Sequence, residues 1–152
     1  MAVKNEEKKP GIVNLLACKC PRCRKGDMFV HNNPYKWGKF MKMNEKCAVC
    51  GQVFDIEVGF YYGTGFMSYA LSVALSVVTL VAWWVLADIS INDNRIFYWL
   101  VFNALFLIAL QPVLMRLSRT FWLAFFVRYE HNWRQKAAKQ PERVNAAQMN
   151  GW

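Results

Sequence analysis

CAVCGQVFDIEVGFYYGTGFMSYALSVALSVVTLVAWWVLA, residues 47–87, joins a metal-ligating motif to a membrane-length apolar run. Cys47 and Cys50 open it as a Cys-x-x-Cys pair. Gly65 to Ala87 close it as 23 consecutive residues without a charge. As a helix, that run covers about 35 Å, enough to cross a ~30 Å hydrocarbon layer with some tilt. Tyr61 and Tyr62 stand at its entrance, where amphipathic rings favour the lipid–water boundary.

Working back toward the N-terminus, a second pair, Cys20 and Cys23, lies in CKCPRCRKGDMF, with 23 residues between the two pairs. Two Cys-x-x-Cys knuckles at such a separation are the pattern of a four-cysteine ribbon, in which four thiolates enclose one tetrahedral Zn2+. The alternation in QVFDIEVG, residues 52–59, reads as a strand. The expected head is therefore a small β zinc ribbon over residues 12–58, behind a charged leader, 1–11. A head of that size cannot build a strong apolar core, and a metal supplies the missing staple. A closed four-thiolate site has no open coordination position, so it predicts structure rather than water activation. Iron is a second metal compatible with paired knuckles. Cys18 is left over as a free thiol, with alternate ligation or soft-metal transfer as its competing role. Cys20-Pro21-Arg22-Cys23 has the spacing of a redox pair, but the βαβ context of a thioredoxin-like site is absent.

Working outward from Ala87, residues 88–95 form a short connection and Ile96–Met115 a second apolar span, completing a transmembrane hairpin over 59–115. Ser68, Ser72 and Ser76 recur every fourth residue on the first span, and Asn103 lies inside the second. Small polar residues at that spacing allow close helix approach in lipid. These four are the expected packing seam, with Gln111 a further candidate for a bond to the serines. Pro112 is expected to kink the second span or end it. Trp122, Phe126, Tyr129 and Trp133 fall at helical spacing, so 116–134 is expected to form an amphipathic helix along the membrane interface, with Arg116 and Arg119 reaching headgroups. Residues 135–152 read as a polar tail, whose terminal Trp152 is a candidate docking residue.

Charge orients the chain. Residues 1–59 carry eleven Lys/Arg against six Asp/Glu, and the segment after Met115 carries seven against two, whereas residues 88–95 carry one Arg and two Asp. Basic flanks around an acidic loop place both termini in the cytoplasm. The net charge of +9 then reflects topology and attraction to anionic lipid, with nucleic acid or the ribosome as the competing partner. His31 and His131 are isolated from other ligand-type residues. There is no glycine-rich phosphate loop, no Ser-His-Asp set and no pair of carboxylates suited to acid–base work. Neither span carries a charge, which argues against an ion pathway within this chain.

The motifs CPRCRKGDMF (Cys20–Phe29) and CAVCGQVF (Cys47–Phe54), followed by GFYYGTGF, resemble a family of small bacterial inner-membrane proteins with no assigned activity. In that family a CPxCxxGxxF and a CxxCG knuckle precede two transmembrane helices. The resemblance spans roughly residues 18–130. Arg24 replaces a glycine common in the family, and the insert HNNPYKWGKFMKM is longer than in the best-known members, as in a Bacteroidota-like branch. Some members are encoded near cytochrome c oxidase assembly genes. The resemblance therefore implies a non-catalytic accessory or assembly subunit of a larger inner-membrane complex, with a terminal oxidase as the leading partner. Docking to ribosome or export machinery, and thiol or metal transfer through Cys18, Cys20 and Cys23, are the alternatives.

Overall fold

The computed structural model describes residues 11, 13–36, 38–57, 59–87, 94–138 and 140. A single turn of helix, α1 (Val13–Leu16), leads into the first knuckle. After the second knuckle, a 3-10 turn (Phe60–Gly63) feeds α2 (Thr64–Ala87), and α3 (Arg95–Phe126) returns antiparallel against it. Both long helices are apolar and long enough to cross a membrane, and no residue in the apolar window of either is buried. Phe66, Tyr69, Trp84, Val85 and Leu86 of α2 and Phe97, Leu105 and Ile108 of α3 all point outward. An apolar helix inside a soluble protein is buried on most sides; this pair has apolar surface nearly all round, which water does not tolerate at this scale.

No continuous strand forms in the head among the described residues. Three isolated antiparallel bridges stand where ribbon strands were expected: Lys19 with Asp27, Phe29 with Met43, and Lys46 with Val53. In the expected strand QVFDIEVG, alternate side chains do not separate into two faces: Gln52, Val53, Phe54 and Ile56 are all buried. Packing around the thiols takes precedence over ladder pairing.

The expected boundary at Met115 is not an element boundary. α3 runs through Pro112 and on to Phe126, so no separate interfacial helix spans 116–134. Pro112 lacks the N–H that would bond Ile108. The neighbouring carbonyl of Ala109 accepts a hydrogen bond of 3.0 Å from the Tyr35 hydroxyl of the head. At 32 residues, α3 is about 48 Å long. Its final turns belong to the head.

The head core shows this directly. Leu123 and Val127 pack with Cys20, Cys23, Met28, Phe29, Cys47, Phe54 and Ile56 in one cluster. A head too small to enclose its own interior borrows apolar surface from the end of α3. Arg116 and Arg119 do not snorkel to headgroups. They are 4% and 7% exposed, because α3 carries them into the head. Arg116 donates from Nε to Phe40 O (2.8 Å), from Nη1 to Asn32 O (3.2 Å) and from Nη2 to Asn33 O (3.0 Å), with its guanidinium over the Phe29 ring. Arg119 bonds Met41 O at 3.3 Å and lies over Tyr61. These two cations hold the insert between the knuckles against the helix.

Trp122, expected at the interface, instead closes the base of the hairpin. Its indole N–H donates to Phe60 O at 2.7 Å. A Cβ on Gly63 would clash with the indole ring, 2.2 Å from its nearest atom. Within the hairpin, Asn103 donates to Ser76 Oγ and accepts from Thr79 Oγ1, both at 3.1 Å. Ser68 and Ser72 bond back to carbonyls four residues earlier in α2. Gln111 is exposed and does not reach the serines.

Candidate metal centre

Each knuckle is built by the same backbone device. Cys20 N donates to Gly26 O and Cys47 N to Gln52 O, both at 2.8 Å. Arg24 N returns to Cys20 O (2.7 Å) and Gly51 N to Cys47 O (2.9 Å). Arg24 and Gly51, each following the second cysteine of its pair, both adopt left-handed backbone, with φ of 56° and 70°. Glycine takes this conformation freely, whereas a side chain costs about 1–2 kcal/mol there. Arg24 is held in it by its guanidinium, 4.8 Å from the centre of the Tyr129 ring.

The two loops bring Cys20, Cys23, Cys47 and Cys50 together, with all four sulfurs within 4.8 Å of one another. Cys20 Sγ and Cys50 Sγ are 3.7 Å apart, and Cys23 Sγ and Cys47 Sγ 3.6 Å. A tetrahedral ion with metal–sulfur bonds of ~2.3 Å requires sulfur–sulfur edges of ~3.8 Å. All five cysteines are free thiols, and the separations far exceed the ~2.05 Å of a disulfide. The four cysteines can therefore hold a metal ion. Gly26 is required by proximity: a Cβ there would collide with Cys47 Sγ. Its backbone N–H, with that of Lys25, also helps hold Cys23 well below the ordinary thiol range, after the larger effect of hydrogen bonds from Cys20 and Cys47. Hydrogen bonds with Cys23 and Cys47 push Cys20 up, and burial raises Cys50 to about 12. Four thiols this close share few charges until a cation joins them.

The centre is enclosed from behind. Arg22, 3% exposed, donates to Cys50 O (3.4 Å), Lys136 O (2.6 Å) and Ala137 O (3.0 Å). Glu130 N bonds Arg22 O at 3.2 Å. The chain after α3 thus folds back across the first knuckle, and the expected polar tail begins as a docked strap. Arg22, Arg116 and Arg119 were not legible as structural residues: Arg22 sits inside a motif that also reads as a redox pair, and Arg116 and Arg119 follow an apolar span where arginines read equally well as cations reaching headgroups. Cys18 lies outside the cluster, half-buried, with φ of 53°. Burial raises its thiol, opposed by a bond to Thr120 and by Arg116. His131 is exposed and His31 lies in the insert. Trp152, the leader 1–10 and most of the loop 88–95 fall outside the described residues.

Comparison with protein-family models, with curated proteins and with solved structures finds no match.

Proposed function

We propose that this chain is a membrane-anchored, non-catalytic accessory or assembly subunit of a larger inner-membrane complex, its head held by one structural Zn2+. The observation that carries this reading is the single core shared by the four-cysteine site and α3. It makes the head a rigid extension of a membrane helix, preorganised to present a fixed surface. The apolar, outward-facing hairpin favours lipid and further transmembrane helices as its surroundings. Four thiolates favour zinc in a reducing compartment, and the basic flanks favour cytoplasmic termini on anionic lipid. Enclosure by Arg22 and the strap favours a retained structural metal over one handed to a partner.

The test is purification of the tagged chain from its own membranes in mild detergent, with metal analysis and identification of stoichiometric partners. One zinc per chain together with subunits of a respiratory or other membrane complex supports the proposal. Ribosomal or export components as stoichiometric partners would replace it. Where an oxidase is recovered, deleting the gene is expected to lower mature oxidase haem absorbance.

A further inference from the structure

The four sulfurs of the metal centre are not equally enclosed. Cys20, Cys23 and Cys47 are buried, whereas Cys50 is half-buried. Cys50 is the corner at which the site is open to an outside ligand. Arg22 stands beside that corner. It lies between the two ligands of the first knuckle, yet its side chain serves other parts of the head. Its Nη1 donates to Cys50 O at 3.4 Å, and its Nη2 to Lys136 O at 2.6 Å and Ala137 O at 3.0 Å. One guanidinium therefore bridges the second knuckle and the end of the strap, and at 3% exposure it does so almost out of water.

The strap is held unevenly. Its first half is anchored: Glu130 N bonds Arg22 O, Tyr129 lies under the Arg24 guanidinium, and Trp133 packs against the core of the head. Residues 134–137 are exposed. Gln135 N and Lys136 N turn back to Asn132 O at 2.9 and 3.2 Å. The ion pair of Lys136 with Glu130 is exposed, and pairs of that kind contribute little. The inward hold on residues 136 and 137 is the pair of carbonyl bonds to Arg22. A segment with exposed side chains and few buried contacts opens locally at low free energy. When this one lifts, Arg22 loses two of its three carbonyl acceptors. A nearly buried cation left short of acceptors turns toward water, and that turn breaks its bond to Cys50 O.

We infer that residues 134–137 are a latch on the metal site. Docked, they hold Arg22 against the second knuckle. Lifted, they free Cys50 first and let the ion pass to an outside thiol or chelator. Arg22 acts as a positioning residue and not as a ligand. The inference rests on the metal reading above and adds a controlled exit to it.

The full-length chain is loaded with Zn2+ in mild detergent. Release to a chelator is timed alongside iodoacetamide labelling of each cysteine, read by peptide mass. Lys136→Pro removes the Lys136 N–H and redirects the two carbonyls without touching a knuckle. It is expected to speed release roughly tenfold or more, because two hydrogen bonds from a charged donor are lost. Cys50 is expected to label ahead of Cys20, Cys23 and Cys47. Hydrogen exchange at Met28 and Leu123, both in the core, is expected to stay as in the wild type, which separates a lifted latch from a loosened core. Arg22→Met keeps the stem and removes the donors, and it should speed release similarly. The double variant should be no faster than the faster single one, since both act on one contact. Wild-type release from Lys136→Pro overturns the latch. So does faster release with lost protection at Met28 and Leu123, labelling that does not begin at Cys50, or a double variant whose effects multiply. A chain that binds no Zn2+ removes the metal reading itself, whereas one that holds Zn2+ and releases it at the wild-type rate in both variants loses only the latch.

Discussion

At the residue scale, two positions following the knuckles take the same left-handed backbone with different means. Gly51 does so without strain, whereas Arg24 relies on Tyr129. Tyr129→Ala is therefore expected to weaken the first knuckle, while Arg24→Gly offsets the loss of the ring contact by relieving about 1 kcal/mol of backbone strain. The check is metal release to a competing chelator: faster in Tyr129→Ala, close to wild type in Arg24→Gly. Gly26→Ala, which drives a methyl into Cys47 Sγ, is expected to lose metal binding as completely as a ligand substitution. Asp55 is a pH-sensitive position outside the spans. Burial raises its carboxyl, with Arg119 opposing. A raised carboxyl favours the protonated folded form, so its contribution is most stabilising below the unfolded value and falls as pH rises through the folded one. Asp55→Asn is expected to flatten the dependence of thermal stability on pH as it rises above the ordinary carboxylate range.

At the element scale, α3 serves two environments, and its buried cations mark the transition. Arg116→Met removes three bonds to the insert and leaves three carbonyls to find other partners. The expected loss is roughly 2–4 kcal/mol, read as a lower unfolding midpoint in detergent. Tyr35→Phe, which frees only Ala109 O, is expected to cost about 1 kcal/mol. Much of this element was visible beforehand. The apolar runs and the uncharged spans follow from composition, and the spacing of Cys20, Cys23, Cys47 and Cys50 announces a four-thiol cluster without any structure. The path of α3 past Pro112 was not visible. A proline, two arginines and a row of aromatics describe a helix leaving a membrane and one entering a protein head equally well. The strands were over-read for a related reason: alternation in residues 52–59 is a local pattern, but burial there is imposed by thiols distant in sequence. Arg22 could be recognised only once residues 136 and 137 were seen beside it.

For the whole molecule, the four-cysteine site, the head and the end of α3 form one packed unit. Stripping the metal with a strong thiol reagent and chelator is expected to loosen the insert and expose the Leu123 and Val127 surface of α3, while the hairpin stays helical. Hydrogen exchange would show this as lost protection over residues 19–57 and 114–137, with 64–87 unchanged. Because metal binding requires thiolates, and neighbouring thiols and burial push Cys20 and Cys50 up, loading is expected to release protons and to weaken on acidification. Calorimetry in buffers of different ionisation enthalpy measures that release.

The core shared between the knuckles and the end of α3 also sets an order of events during synthesis. The ligands emerge from the ribosome first, but Leu123, Val127 and the Lys136 and Ala137 carbonyls that enclose them emerge near the end. The head therefore remains unfinished until both apolar helices have been made, and its firm grip on metal follows them. A tightly held ion in this chain is a record that both long helices have been made, and chains cut short before residue 123 are expected to carry four cysteines yet fail to retain it.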